Sequence, residues 1–333
     1  MLVSPDAGAA RRDEDALWST TDAVLRTAGA CAPGPARHPA RKAAAHAVRT
    51  ESADGVAPAV SPEPGAGGAV VPPPRRAAGR WPVDLADPAP HLEQAVDRAL
   101  ASLPPGHGPA ADAAGRHSVV RAWDAEQAAV LAASAEWLHR TWPTMFAELR
   151  EGVRQIALLH GPSIDGFTDF TTHGAVFVNA SRLTTGRTGL TGWVRLADAL
   201  VHEGTHTRCN AAALSTPFLV PGTGTGSAPT MSTPLRADPR PLTGLFQQTV
   251  VLARQVVLYR LLYEEAPADL PPKAVAARRT QVLDRARQGA ETLSRYRASL
   301  TPAGEAVRAE VDQLLAREIV PTGAHAGTSG GRG

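Results

Sequence analysis

The sequence is poor in cysteine and has no long apolar run. Its 333 residues contain two cysteines, Cys31 and Cys209, which lie far apart, so a disulfide framework is not expected and a reducing compartment fits. No stretch reaches the roughly 18 apolar residues that a membrane helix needs. Residues 1–15 lack the apolar segment of a secretory signal. We therefore expect a cytoplasmic protein without a membrane partner.

A strong excess of charge of either sign is also missing. Lysine and arginine number 34 against 32 aspartates and glutamates, which gives a formal net charge of +2. So small an excess creates no field that would attract nucleic acid or an anionic membrane, and we expect no nucleic-acid partner. Hydrophobic residues make up 43% of the chain, which is enough for a sizeable core.

Proline and glycine divide the chain into unequal parts. Many of the 29 prolines and 30 glycines fall in the first hundred positions. The segment Ala30–Pro90 is rich in alanine, proline, glycine and arginine, and it cannot bury enough surface to offset its ordering entropy. We predict a low-complexity, largely disordered tail over residues 1–90, with at most one short helix over 13–29. A folded domain is expected over 91–320, followed by a disordered C-terminus over 321–333.

Hydrophobic patterns in the folded part predict mostly helices. Residues 119–142 fit one long helix that ends before Pro143, and its tryptophans are expected in the core. Residues 215–241, rich in small and polar side chains, predict a loop that covers a cleft. The result is a mostly α (α+β) fold, a helical domain with a small β-sheet beside the helix of the motif described next. The predicted strands are 155–160 and 174–179, and the other predicted helices are 193–214, 242–264, 272–299 and 302–318.

Two histidines lie four residues apart in the segment Val201-His-Glu-Gly-Thr-His206. On a helix, His202 and His206 differ by about 40° in direction and about 6 Å in rise, so both imidazoles can reach one metal ion. In zinc peptidases the glutamate of such a motif acts as general base, and Glu203 occupies that position. Apolar residues before the motif predict a buried helix with the pair facing a cleft. The alternative is two surface histidines on an alanine-rich helix.

The motif does not identify a third metal ligand. Cys209 lies seven residues beyond His202, and ligands spread over about 10 Å of one helix cannot meet one ion, so a core thiol is predicted. Asp238, Gln247 and Glu264 are the candidates further along the chain. No third histidine of the metzincin type follows the motif, and Glu264 lacks the surroundings of a peptidase ligand, which disfavours a plain peptidase.

Two segments together resemble a known family. Ala199–His206 and Pro234–Gln248, with the later turn Leu300–Gly304, are similar to bacterial HExxH-motif proteins associated with modification of ribosomally made peptides. The resemblance spans about residues 119–318 and leaves out the first 90 residues. Members of that family act as iron(II)- and 2-oxoglutarate-dependent peptide β-hydroxylases. The resemblance therefore implies Fe(II) and 2-oxoglutarate as cofactors and a precursor peptide as substrate.

The resemblance also implies a ligand set. Iron(II) oxygenases use two histidines and a third group on one face, so His202 and His206 are the expected ligands, Gln247 takes the third position, and Glu203 orients the site. The family often has a histidine where this chain has Gln247. An amide there would weaken iron binding.

A cation for the oxoacid is implied as well. The carboxylate of 2-oxoglutarate needs a fixed cation, and the guanidinium fork binds carboxylates bidentately. Arg236 and Arg240 meet this need, although pairing with Asp238 is an equally simple explanation for them. The family commonly has an aromatic residue before the first arginine, whereas this chain has Leu235.

Two other functions fit the same residues. A zinc-dependent metallopeptidase would use Glu203 as general base and Glu264 as a possible ligand. A catalytically silent peptide-binding partner in a modification pathway would explain Gln247.

Overall fold

The structure, a computed structural model, describes residues 2–31, 34–53, 80–103, 118–223, 230–233 and 236–318. These residues form long helices around a small mixed sheet, which confirms the mostly α (α+β) fold. The helices are α1 (Ala7–Thr27), α2 (Pro39–Ala53), α3 (Pro90–Ala101), α4 (Ala125–Thr141), α5 (Pro143–Gly152), α6 (Gly192–Ser215), α7 (Leu242–Glu265), α8 (Pro272–Ser294) and α9 (Pro302–Arg317). The strands are β1 (Asp84–Ala86), β2 (Val119–Arg121), β3 (Gln155–His160), β4 (Gly166–Thr168), β5 (Ala175–Asn179), β6 (Met231–Thr233) and β7 (Arg236–Arg240).

The main sheet is built around the buried strands β3 and β5. They pair in parallel, in a register that places Ile156 opposite Val176. β1 lies along the first half of β3 and β2 along its second half, while β4 pairs antiparallel with β5 at the other edge. Because successive side chains of a strand point to opposite faces, Ile156 and Leu158 enter the large core. Ala157 and Leu159 enter a smaller core that α3 covers.

Helix α6 lies at the centre of the molecule and carries the histidine pair. It begins at Gly192, where an added Cβ would lie 1.9 Å from the carbonyl oxygen of Leu183. The helix contacts α1, α4, α5 and α7 as well as β4 and β5. Most of its 24 residues are buried, as the apolar residues before the motif predict. Among the described helices, none combines the length and hydropathy of a membrane span.

The single helix predicted over residues 119–142 was wrong at its start. Residues 119–121 form β2, and α4 begins only after Asp124. The Asp124 side chain accepts from the backbone N–H of Gln127, and the Gln127 side chain accepts from the backbone N–H of Asp124. This reciprocal capping box fixes the helix start. The tryptophans of the segment, Trp123, Trp137 and Trp142, are buried as predicted.

The N-terminal segment is folded where the structure describes it. Helix α1 packs against α5 and α6, with Leu17 and Leu25 fully buried. Buried Glu14 lies 2.8 Å from Nε2 of His173, and the indole N–H of Trp18 donates to the same carboxylate. The prediction of a largely disordered tail was therefore wrong for these residues.

The predicted domain boundary at residue 91 was wrong for the same reason. Helices α1 and α2 and strand β1 all precede it, and β1 pairs with the central strand β3. The sequence did not indicate that α1 belongs to the folded domain, because its apolar face is thin. The helix also buries polar residues, and their partners lie far along the chain. Residues 54–79 and 321–333, where disorder was also predicted, lie outside the described residues.

Residues 217–220, which follow α6, do not line the cleft of the histidine pair. The backbone N–H of Thr301 donates to the carbonyl of Phe218, and the Thr301 hydroxyl donates to the carbonyl of Pro217. Leu219 and Leu300 form a β-bridge. These bonds attach residues 217–220 to the start of α9, so the predicted lid role was wrong for them. Residues 224–229 lie outside the described residues.

Candidate functional site

The histidine pair faces a large cavity. His202 and His206 lie one turn apart on α6, with ring centroids 5.1 Å apart. Both rings line a cavity of about 810 Å³. Burial lowers the pKa of both imidazoles, and each is therefore neutral at pH 7. Neutral imidazole is the form that binds metal ions, so the pair has the placement that the motif predicts.

His206 is held by a hydrogen-bonded chain behind its ring. Its Nδ1 lies 2.8 Å from Oε1 of Gln247 on α7, and Nε2 of Gln247 donates to Oδ1 of Asn210 at 2.9 Å. An amide oxygen accepts only, so Nδ1 carries the proton and Nε2 of His206 keeps its lone pair. Such a partner fixes the tautomer and the ring orientation of a metal-binding histidine.

The contacts of Gln247 favour a positioning role over the predicted role as a metal ligand. Its oxygen is engaged by Nδ1 of His206, and the residue is absent from the lining of the large cavity. Gln247 instead lines a smaller, separate cavity of about 260 Å³ together with Cys209. Cys209 is buried, and burial raises the pKa of its thiol to about 12, so the prediction of a core thiol is confirmed.

Glu203 lies in the same cavity as the imidazoles. Its side chain is buried, and burial raises its pKa to about 8, against a lowering by Arg182 and a further rise from Asp165. The carboxyl group is therefore largely protonated at neutral pH. A Cβ added to Gly166 of β4 would lie 3.2 Å from Oε1 of Glu203 and 3.1 Å from the carbonyl oxygen of Phe177. A larger residue at position 166 would therefore have to displace the Glu203 side chain or the Phe177 carbonyl by a few tenths of an ångström.

The glycine inside the motif has a packing role. A Cβ added to Gly204 would lie 2.1 Å from Cδ2 of Leu149 on α5, and Leu149 is itself buried. The motif therefore lies on a helix whose cavity face carries the polar groups and whose opposite side is tightly packed. That packing holds the imidazoles in place.

The cavity wall is rich in cations. Its arginines outnumber its carboxylates five to three. Arg240 lies in the wall, as predicted for a carboxylate-binding arginine. The side chain of Arg236 lies outside the described residues. The arginines are Arg182, Arg195, Arg240, Arg278 and Arg285, and the carboxylates are Asp165, Asp198 and Glu203.

Asp198 organises one side of this wall. It lies on α6 one turn before His202 and is buried. It accepts from Nε2 of Gln255 at 2.5 Å and from Arg278 at 3.3 Å, and Arg182 lies 3.9 Å away. The sequence did not single out Asp198. An acidic residue four positions before the first histidine, within the apolar run Leu196–Leu200, was the signal that could have done so.

The remaining candidate ligands do not join the pair. Glu264 is exposed near the end of α7 and pairs with Arg260 at 3.2 Å, so its prediction as a ligand was wrong. The side chain of Asp238 lies outside the described residues. Within the ranges that the structure describes, no group of three or more histidine, cysteine, aspartate or glutamate side chains is arranged to hold a metal ion.

Comparisons with known proteins leave the family open. No protein-family model matches the sequence, and no match among curated proteins was found. The resemblance to peptide-modifying HExxH proteins stays a prediction.

Proposed function

We propose that the protein is an iron(II)- and 2-oxoglutarate-dependent dioxygenase that hydroxylates the β-carbon of a residue in a ribosomally made precursor peptide. One observation carries the proposal: two neutral imidazoles and several arginines line a single cavity. Imidazoles suit iron(II), and guanidinium groups suit a dicarboxylate. The family resemblance supplies the peptide substrate.

The donor set fits such a metal. Both imidazoles are neutral, and the Gln247 bond to Nδ1 of His206 leaves Nε2 free to bind. His202 and His206 would hold the ion from α6. Iron bound there would supply the activation of O₂ that C–H hydroxylation needs.

The surrounding residues supply a positive charge, a hydrogen-bond donor and a fixed orientation of the His206 ring. Arg240 supplies a cation for a 2-oxoglutarate carboxylate, because its guanidinium group lies in the same wall as the imidazoles. Glu203, with its raised pKa, presents a protonated carboxyl group that can donate a hydrogen bond into the cavity. Gln247 and Asn210 keep the ring of His206 in one orientation.

A zinc-dependent metallopeptidase is the second candidate. It is favoured by the position of Glu203, which shares the cavity with both imidazoles as a general base would. The exposed position of Glu264 removes the glutamate ligand considered for this function.

Metal content and succinate formation test the proposal. Full-length protein purified without oxygen is expected to bind one Fe(II) per chain and to convert 2-oxoglutarate to succinate. His202→Ala combined with His206→Ala is expected to abolish both, whereas His160→Ala is expected to change neither, since His160 is exposed at the end of β3. Bound zinc with peptide cleavage and no succinate would establish the peptidase instead. Peptide binding without metal would establish the silent partner.

Glu203→Gln separates the two enzymes further. The variant loses a general base and is expected to inactivate a peptidase completely. It retains a hydrogen-bond donor, so the proposed oxygenase is expected to keep measurable succinate formation. Complete loss of succinate formation would contradict the orienting role of Glu203.

A further inference from the structure

Arg285 differs from the other arginines of the cavity wall. Each of those has a partner inside the protein, which is an aspartate, a backbone carbonyl or another polar group. Within the described part of the chain, Arg285 has no hydrogen bond or ion pair. It is half-buried and lines the cavity. The partnered arginines are Arg182, Arg195, Arg240 and Arg278.

No acidic residue lies three or four positions from Arg285 on α8, and the adjacent Asp284 points about 100° away from it. Some helical arginines elsewhere do have carboxylates at that spacing, as Arg308 has on both sides and Arg295 has on one. Such spacing places two side chains together on a helix. The corresponding positions around Arg285 hold Gln281, Val282, Gln288 and Gly289.

A second cation, Arg278, lies close to Arg285 and repels its positive charge. Arg278 lies seven residues earlier on α8, which is almost the same direction on a helix. Burial lowers the pKa of Arg285, and the positive charge of Arg278 lowers it further. The charge of Arg278 is thus repulsive to Arg285. An anion in the cavity would relieve both effects.

We propose that Arg285 binds a carboxylate of the ligand that occupies the cavity. Arg285 is half-buried and has no internal partner among the described residues, and it lies in a wall where arginines exceed carboxylates. A carboxylate can pair with such a guanidinium group through two parallel hydrogen bonds. The assignment of a source rests on the proposed function: the carboxylate belongs to 2-oxoglutarate or to an acidic side chain of the peptide. Binding of an anion at Arg285 does not depend on whether the protein is an oxygenase.

Calorimetric titration of metal-free, full-length protein tests the site. Two probes are used, glutarate for the co-substrate and N-acetyl-aspartate amide for an acidic side chain. Arg285→Gln is expected to weaken binding of at least one probe about tenfold or more, because a charged hydrogen bond is lost. Arg285→Lys is expected to restore part of it. Arg287→Gln is the matched control, since Arg287 is exposed on the same helix and does not line the cavity.

The outcomes are distinct. Loss of glutarate binding alone assigns Arg285 to the co-substrate, and loss of the aspartate probe alone assigns it to the substrate. The proposal is overturned if neither probe binds the unchanged protein, if Arg285→Gln binds both equally well, or if Arg287→Gln has the same effect. Carboxylate binding without succinate formation would leave the anion site standing and contradict the oxygenase.

Discussion

Two clusters of buried charge flank α6, and they differ in how their charges are matched. In the first, which we name the paired cluster, Arg254 lies 2.6 Å from Glu148, and Arg208 lies 2.6 Å from Asp13. In the cavity, by contrast, the imidazoles and Arg285 face open space. The charges of the paired cluster thus serve the fold, while the two imidazoles and Arg285 remain available to a ligand. The paired cluster consists of Asp13, Glu148, Arg208 and Arg254.

The largest expected effect comes from breaking the paired cluster. Glu148→Ala leaves Arg254, which is fully buried, without its carboxylate and removes an acceptor of the Asp6 backbone N–H. Removing one partner of a buried pair costs about 3–5 kcal/mol, so urea unfolding followed by circular dichroism is expected to show a loss of that size. Glu291→Ala, which breaks the exposed pair with Arg295, is the control and is expected to cost less than about 1 kcal/mol. Equal losses would contradict the comparison.

The next largest effect concerns metal binding in the cavity. Gln247→Leu removes the acceptor that orients His206. Loss of such an outer partner typically lowers metal affinity about 10–100-fold, and anaerobic titration with Fe(II) is expected to show this. Gln288→Leu on the exposed side of α8 is expected to leave the affinity unchanged. Unchanged affinity in Gln247→Leu would show that the bond to His206 has no positioning role.

The third effect has the opposite sign. In metal-free protein the pKa of Glu203 is raised to about 8 from an ordinary value of 4.5, so the folded state holds a proton that the unfolded state releases. The stability contributed by that proton is complete below pH 4.5 and is lost as pH rises through 8. A difference of about 3.5 pKa units corresponds to a loss of at most about 5 kcal/mol at pH 9. Glu203→Gln removes the titration and is expected to recover part of that loss.

Unfolding measured from pH 5 to pH 9 checks this prediction. The advantage of Glu203→Gln is expected to grow with pH and then level off. Asp284→Asn, on the exposed face of α8, is expected to leave the pH dependence unchanged. A destabilised Glu203→Gln would mean that this carboxylate belongs to the fold, as Glu148 does.

The sequence correctly predicted those helices and strands that are determined by residues close together in the chain. The strand over 155–160 and the helix over 242–264 follow from short apolar runs and their turns, and both are confirmed, with α7 ending one residue later. The predicted helix over 302–318 is also confirmed to within one residue, and the Thr301 hydroxyl caps it by accepting from the N–H of Gly304. Each of these depends on residues within one turn or one strand.

The features that the sequence did not predict depend on packing between residues far apart in the chain. Helix α1 is stable because Glu14 meets His173, 159 residues away, and no local pattern reports such a pair. Arg278 and Arg285 look like ordinary surface arginines of an amphipathic helix, and only the packing of α7 against α8 turns them toward the histidines. The sequence singled out Gln247, but whether its amide contacts a metal ion or the imidazole of His206 depends on ångström-scale geometry.

The attachment of residues 2–4 has a consequence for how the chain is made. The carbonyl of Leu2 accepts from Arg254, and the backbone N–H of Ser4 donates to Glu310, 306 residues later. Closing so long a loop is slow, because its entropy is lost before its contacts form. During synthesis the backbone N–H of Ser4 therefore lacks this partner until α9 has been made.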